Sequence, residues 1–298
     1  MTAIGFIGPG IMGAPMVRNL VTAGHEVRVY GASERARARA AETGGQVVDS
    51  VADAARGCEV LITMLPDGPV VHEVLLGEDG AISHLDPGAL LVDHSTISPA
   101  EALAVHEAAA AAGVRCLDAP VSGGEAGAVE GVLSIMVGGD REAFEAAKPL
   151  FEVVGSTIEL VGPAGSGQVV KAANQLMVAG HIQMLAEALV FLGAHGVEPE
   201  TALDVLGGGL AGSTVLTRKR AAMVNREFAP GFRIALHDKD LGIVDGASKE
   251  QGLALPLTAA VTALMRSARR RGYGDLDHSA LLQLLLDLNG EHAGVAER

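Results

Sequence analysis

A chain of 298 residues is about twice the length of a typical domain, so two domains are expected, and 49 % hydrophobic residues suffice for a sizeable core. A net charge of −14 and an aromatic content of 3 %, with no Trp, exclude the basic, aromatic-lined surfaces that nucleic acids and anionic membranes require. An anionic substrate would have to meet a local positive patch working against that field.

The chain enters an apolar run at residues 3–8, which leaves no room for a signal peptide. With no uninterrupted apolar stretch of about 18 residues, no membrane span is expected and the chain reads as cytoplasmic. Further β-rich runs fall at 26–30, 59–64, 89–93 and 114–119, separated by helical or turn-bounded stretches. That alternation predicts a mostly parallel sheet with helices on both faces. Runs at 133–137 and 157–160, flanking a helical segment at 141–151, extend the sheet. Cys58 and Cys116 lie in such apolar runs and read as reduced core residues. From about Gly165 onward only helical periodicity remains. Residues 167–194 form a long Ala/Leu/Val-rich segment, apolar on most sides, which predicts the buried spine of an all-helical domain. The turn Gly162-Pro163-Ala164-Gly165 divides residues 1–163 from 164–298.

The first turn carries a specific pattern. Gly8-Pro9-Gly10-Ile11-Met12-Gly13 follows a strand and opens a helix, giving G-x-G-x-x-G its proper context. Gly8 makes the tight turn, Gly10 lets the backbone approach a pyrophosphate, and Gly13 lets the helix pack on the strand. Backbone N–H groups around Ile11 and Met12 then meet the phosphate charge. Where an NAD-selective fold ends its second strand in Asp or Glu, this chain has Tyr30-Gly31-Ala32-Ser33. Arg35 and Arg37 follow Ser33 and either meet a 2′-phosphate or form a solvated helix face; the reading leans to NADP over NAD. Leu65-Pro66 and Ser95-Thr96 follow two further strands, at the strand ends where open α/β sheets bind ligands. Thr96 is the better candidate there, because Ser95 and Ser98 are equally natural N-caps.

Three segments in order resemble the β-hydroxyacid (3-hydroxyisobutyrate) dehydrogenase family: residues 5–16, Asp118-Ala119-Pro120-Val121-Ser122-Gly123-Gly124, and Gly167-Gln168-Val169-Val170-Lys171-Ala172-Ala173-Asn174. Relatives more often carry Leu at Pro9, and polar or charged cofactor-selecting residues at Gly31-Ala32. Residues 208–216, 231–234, 255–261 and 277–281 are similar to the branch that reduces tartronate semialdehyde (2-hydroxy-3-oxopropanoate) to D-glycerate. The resemblance implies a Rossmann domain followed by an all-α domain, an active site in the cleft between them and NAD(P) as cofactor; the apolar helical domain suggests self-association as a homodimer or homotetramer.

Carbonyl reduction needs a proton for the developing alkoxide, and Lys171, interrupting an apolar helix, is the candidate donor. Asn174 and Gln175, three and four residues on, share its face; the resemblance makes Asn174 a residue that orients substrate or lysine. Two successive glycines and a hydroxyl at Ser122-Gly123-Gly124 present donors to an anion, which the resemblance identifies as the substrate carboxylate. Lys239 reads by itself as part of a solvated helix face; the resemblance implies that it reaches the cofactor. Phe232 and Ser213 are lesser candidates for the pocket wall. The ten histidines show no metal-binding spacing, and His237, Asp238 and His278 read as scattered, satisfied side chains rather than a cluster. Alternatives are another β-hydroxyacid such as 3-hydroxyisobutyrate, imine reduction, or a non-catalytic NAD(P)-binding sensor.

Overall fold

The computed structural model describes residues 1–290; residues 291–298, the end of the expected helical domain, lie outside the described residues. Two compact units divide between Lys171 and Ala172.

In the first unit the strands are β1 (Ala3–Ile7), β2 (Glu26–Tyr30), β3 (Gln46–Val47), β4 (Val60–Thr63), β5 (Leu90–Asp93), β6 (Arg115–Asp118), β7 (Val121–Ser122), β8 (Leu133–Gly139) and β9 (Gly155–Gly162). The helices between them are α1 (Gly13–Thr22), α2 (Glu34–Ala41), α3 (Val51–Ala55), α4 (Gly68–Leu76), α5 (Pro99–Ala111), α6 (Gly124–Glu130) and α7 (Arg141–Val154). The sheet order is β3-β2-β1-β4-β5-β6-β8-β7, with β9 beside β8. Every pairing from β3 to β6 is parallel, whereas β8 runs antiparallel to β6 and β7. This is a Rossmann sheet, and the strand order reverses between β1 and β4, where such folds bind ligands at the carboxyl ends.

Central strands covered on both faces read as continuous apolar runs, and β4 and β5 are buried along their whole length. Alternate side chains enter opposite cores. Ile4, Phe6, Ile62, Val92 and Leu117 pack with α1 and α7, while Ile7, Leu61, Leu91 and Cys116 pack with α3, α4 and α5. The strands β3 and β7 were not expected: two residues are too few to show a period. Cys58 precedes β4 rather than lying in it, but both cysteines are buried and free.

Helix α8 (Ser166–Ala194) follows the turn at 162–165 and passes from the first unit into the second. The second unit continues with α9 (Pro199–Gly208), α10 (Thr214–Val224), α11 (Ile234–Glu250), α12 (Pro256–Arg270) and α13 (Leu281–Asn289). Its described residues contain no strand, only an isolated bridge between Arg233 and Asp277. Ala179 and Ile182 of α8 enter one core with Leu241, Met265 and Leu284, and Leu185 and Leu189 enter another with Leu203 and Met223. By length and composition alone α8 could cross a membrane, although polar residues interrupt its apolar runs; 33 % of its apolar stretch is buried within the chain.

Candidate functional site

The glycine turn is built as its spacing requires. Gly8 has φ 101°, and a Cβ on it would stand 2.3 Å from Met64 O. A Cβ on Gly13 would lie 2.2 Å from Gly8 O, so α1 approaches β1 only because residue 13 has no side chain. Gly10 faces open space, a cradle into which a ligand can come close. Ile11 is exposed, and Met12 begins α1 with no side-chain cap and no acid in the first turn. In the same unit α2, α3, α4, α5 and α7 are capped by Ser33, Ser50, Asp67, Ser98 and Asp140. Helix α6, which starts after Gly123, has no side-chain cap either. The starts of α1 and α6 are thus the two among these seven that no side chain caps; α1 has no acid in its first turn and fits a phosphate, whereas α6 carries Glu125 there.

At the end of β2, a Cβ on Gly31 would stand 2.8 Å from Ala36 Cβ and 3.0 Å from Arg37 N, so no acid can occupy that position. Ser33 Oγ accepts from Ala36 N at 3.1 Å, and Arg35 is exposed beside it.

The turns after β4 and β5 are tied together. Leu65 N donates to Ser95 Oγ at 2.9 Å, and buried Asp93 accepts from Thr63 Oγ1 and Ser95 N. Burial pushes the Asp93 carboxyl above its ordinary range, against the hydrogen bonds from Ser95 and Thr63. Ser95 is therefore a cross-link, while Ser98 is the N-cap, in a capping box with Glu101. Pro66 is exposed and Thr96 half-buried on these linked turns. His94 Nδ1 lies 2.6 Å from Ala119 O, and burial lowers its pKa to about 4.

Lys171 is 6 % exposed, and its Nζ donates to Val121 O at 2.7 Å, next to Ser122. Ser122 ends β7 and α6 begins at Gly124. Gly123 (φ 143°) and Gly124 (φ 65°) turn the chain between the two in a conformation that favours glycine.

The first turn of α8 is clamped by residues the sequence reading missed. Asp118, 2 % exposed, accepts from Gly165 N at 2.8 Å and Gln168 N at 3.0 Å, with His106 Nε2 at 3.1 Å. Gln168, also buried, donates to Ser95 O and accepts from Ile97 N. A Cβ on Gly167 would stand 2.4 Å from Met136 O, so glycine there admits the helix to the sheet. These partners are 47 to 73 residues apart, beyond any local signal.

In the second unit Asn174 and Lys239 are brought together through two intermediaries. Asn174 Nδ2 donates to Gln175 Oε1, Gln175 Nε2 to Asp240 Oδ2, and Lys239 Nζ stands 3.0 Å from Asp240 Oδ1. Lys239 is thus ion-paired to a buried carboxylate, not a member of a solvated face. His237 and His278 do meet, Nδ1 to Nδ1 at 3.0 Å, and Phe232 packs on both rings. Asp238 instead pairs with Arg269 at 2.9 Å. Ser213 caps α10. Among the described residues no group of His, Cys, Asp or Glu could hold a metal ion.

A Rossmann sheet with an open glycine turn, followed by a helical unit, is the architecture of a dinucleotide-binding protein. Residues 3–162 match the family profile described as the NAD binding domain of 6-phosphogluconate dehydrogenase, and residues 165–285 that of the NAD-binding of NADP-dependent 3-hydroxyisobutyrate dehydrogenase. The 2-hydroxy-3-oxopropionate reductase of Escherichia coli is 44 % identical over 95 % of this chain and 96 % of its own. The NAD-dependent L-serine dehydrogenase of Pseudomonas aeruginosa is 36 % identical over 98 % of this chain and all of its own. The solved 3-hydroxyisobutyrate dehydrogenase of Mycobacterium tuberculosis with L-serine superposes with a TM-score of 0.87 at 36 % identity, covering 96 % of this chain and 99 % of its own. The chain belongs to the β-hydroxyacid dehydrogenase family of NAD(P)-dependent oxidoreductases.

Proposed function

We propose that this enzyme reduces tartronate semialdehyde to D-glycerate with Lys171 as the proton donor. The observation that carries the reading is the Lys171 ammonium held at Val121 O, one residue from the Ser122-Gly123-Gly124 turn and the uncapped start of α6. That turn offers backbone donors and a hydroxyl to the substrate carboxylate. Lys171 stabilises the oxygen as charge develops on it and then protonates it. Asn174 orients the substrate from the same helix. The identity to a relative named for this reduction supports the substrate, as do residues 208–216 and 277–281.

Gly8, Gly10, Ile11, Met12 and Gly13 hold the dinucleotide phosphates, Leu65, Pro66 and Thr96 line its path along the strand ends, and Lys239 is a further cofactor residue. When bound, the nicotinamide supplies the hydride. The steric bar to an acid at Gly31, with Ser33 and Arg35 following, favours the 2′-phosphate of NADP over the free ribose of NAD. On this reading residues 1–163 bind the cofactor and residues 164–298 serve substrate binding and self-association. Val170, Met177, Met184 and Phe191 are exposed on α8 at seven-residue intervals, an apolar seam suited to a second copy of the chain.

Initial rates with NADPH and with NADH test this, taking tartronate semialdehyde, methylmalonate semialdehyde and, for oxidation, L-serine. Highest kcat/KM for tartronate semialdehyde with NADPH is expected. A higher value for either other substrate moves the enzyme elsewhere in its family. Sedimentation with Met177→Glu checks the seam: dissociation is expected, and an unchanged mass, or binding of the wild type to lipid vesicles, sinks it.

A further inference from the structure

Asn174 commits one of its two amide protons before any ligand arrives. Its Nδ2 donates to Gln175 Oε1 at 2.8 Å, and Gln175 Nε2 donates to Asp240 Oδ2 at 2.5 Å. Gln175 and Asp240 are both buried, and the carboxylate is ion-paired to Lys239. His237 Nε2 lies 3.1 Å from the Gln175 main-chain oxygen. A carbonyl only accepts, so His237 carries its proton on Nε2 and braces Gln175 from the backbone side.

The relay has a fixed sense. A carboxamide can be turned over, exchanging donor for acceptor, but a carboxylate can only accept. Asp240 therefore requires Gln175 Nε2, which turns Gln175 Oε1 toward Asn174. That oxygen in turn requires one Asn174 Nδ2 proton, which fixes the orientation of the amide and presents Oδ1 as its unengaged acceptor. Turning either amide would set like against like in a buried place and leave groups unsatisfied. Among the described residues Asn174 Oδ1 makes no hydrogen bond.

We propose that Gln175 and Asp240 are positioning residues that make Asn174 a hydrogen-bond acceptor, so that the site selects substrates carrying a hydroxyl donor beside the reacting carbon. The selected class is the 2-hydroxy aldehyde acid, in preference to the same compound with hydrogen at that carbon. This rests on the reading of Asn174 as a residue that faces the substrate.

The test compares kcat/KM for tartronate semialdehyde and malonate semialdehyde, which lacks the 2-hydroxyl, in variants whose thermal unfolding matches the wild type. The wild-type ratio is expected to be about tenfold or more, the worth of one good hydrogen bond. Gln175→Leu and Asp240→Asn each bring it toward unity. The double substitution Gln175→Glu with Asp240→Asn moves the negative charge one step along the relay, again demands the Asn174 amide proton, and restores the ratio. A substrate-independent readout is the Asn174 side-chain amide resonance, identified by its loss in Asn174→Ala. It is expected shifted and protected in the wild type and the double variant, and released in each single one. An amide signal indifferent to Gln175→Leu overturns the relay. If the signal responds but Asn174→Ala keeps the wild-type ratio, Asn174 does not face the substrate and the selection claim falls with that reading. If Asn174→Ala abolishes the ratio while the single relay variants retain it, the inference alone is overturned.

Discussion

At the start of α1 the chain leaves the first-turn N–H groups without a side-chain partner; at the start of α8 it engages them with the buried carboxylate of Asp118. Both helices follow a strand and a glycine-bearing turn, and both have a glycine whose missing Cβ admits the helix to the sheet. At α1 the uncovered donors and the open Gly10 make a place for a ligand. At α8 the same groups anchor a mount, and Lys171 projects from it one turn further on. A helix start thus becomes a binding site or a structural pivot according to whether the protein supplies its own anion.

Removing the pivot's anion is the harshest way to test this contrast. Asp118→Ala leaves the Gly165 and Gln168 N–H groups buried and unpaired. A stability loss of roughly 2–5 kcal/mol is expected in urea titrations, with kcat reduced even where the variant remains folded. The corresponding change at α1 acts through sterics. Gly13→Ala forces a Cβ against Gly8 O, and overpacking of this kind costs about 1–3 kcal/mol; dinucleotide affinity measured by calorimetry is expected to fall about tenfold or more. Equal losses of affinity in both variants would erase the distinction between site and pivot.

His94, the residue after β5, gives a pH signature. Its folded-state pKa is lowered from 6.5 to about 4, by burial, so the unfolded chain takes up a proton first as pH falls. Stability from this group is complete above about pH 6.5 and is lost as pH drops toward 4, amounting to about 2 kcal/mol between pH 7 and pH 5. Denaturation at the two pH values checks it, and His94→Gln is expected to flatten the dependence. The smallest effect belongs to Arg35→Ala: NADPH affinity falls by about tenfold, as for loss of one charge-assisted contact, while NADH affinity holds. Parallel losses for both cofactors would remove Arg35 from the 2′-phosphate site.

The same contrast explains what could be read from the sequence. Gly8, Gly10 and Gly13 are legible because close approach leaves one residue type and a fixed spacing. Lys171 stands out because a charge within an apolar helix needs a reason. The strands of four or more residues show in their apolar runs, but β3 and β7 are too short to have a pattern. Asp118, Gln168 and Asp240 look like ordinary polar residues, because what distinguishes them is a partner brought near by the fold. Lys239 taken alone looks like one charge in a mixed run for the same reason: its ion pair involves the adjacent Asp240, yet the burial of that carboxylate comes from packing of the helical unit.

The central claim is that Lys171 delivers the proton. Stopped-flow mixing of the NADPH-loaded enzyme with tartronate semialdehyde, following loss of reduced-nicotinamide absorbance in one turnover, tests it most directly. The Lys171→Ala rate is expected to fall by a factor of about a hundred or more, with NADPH affinity unchanged. A single-turnover rate equal to that of the wild type would show that the proton comes from elsewhere.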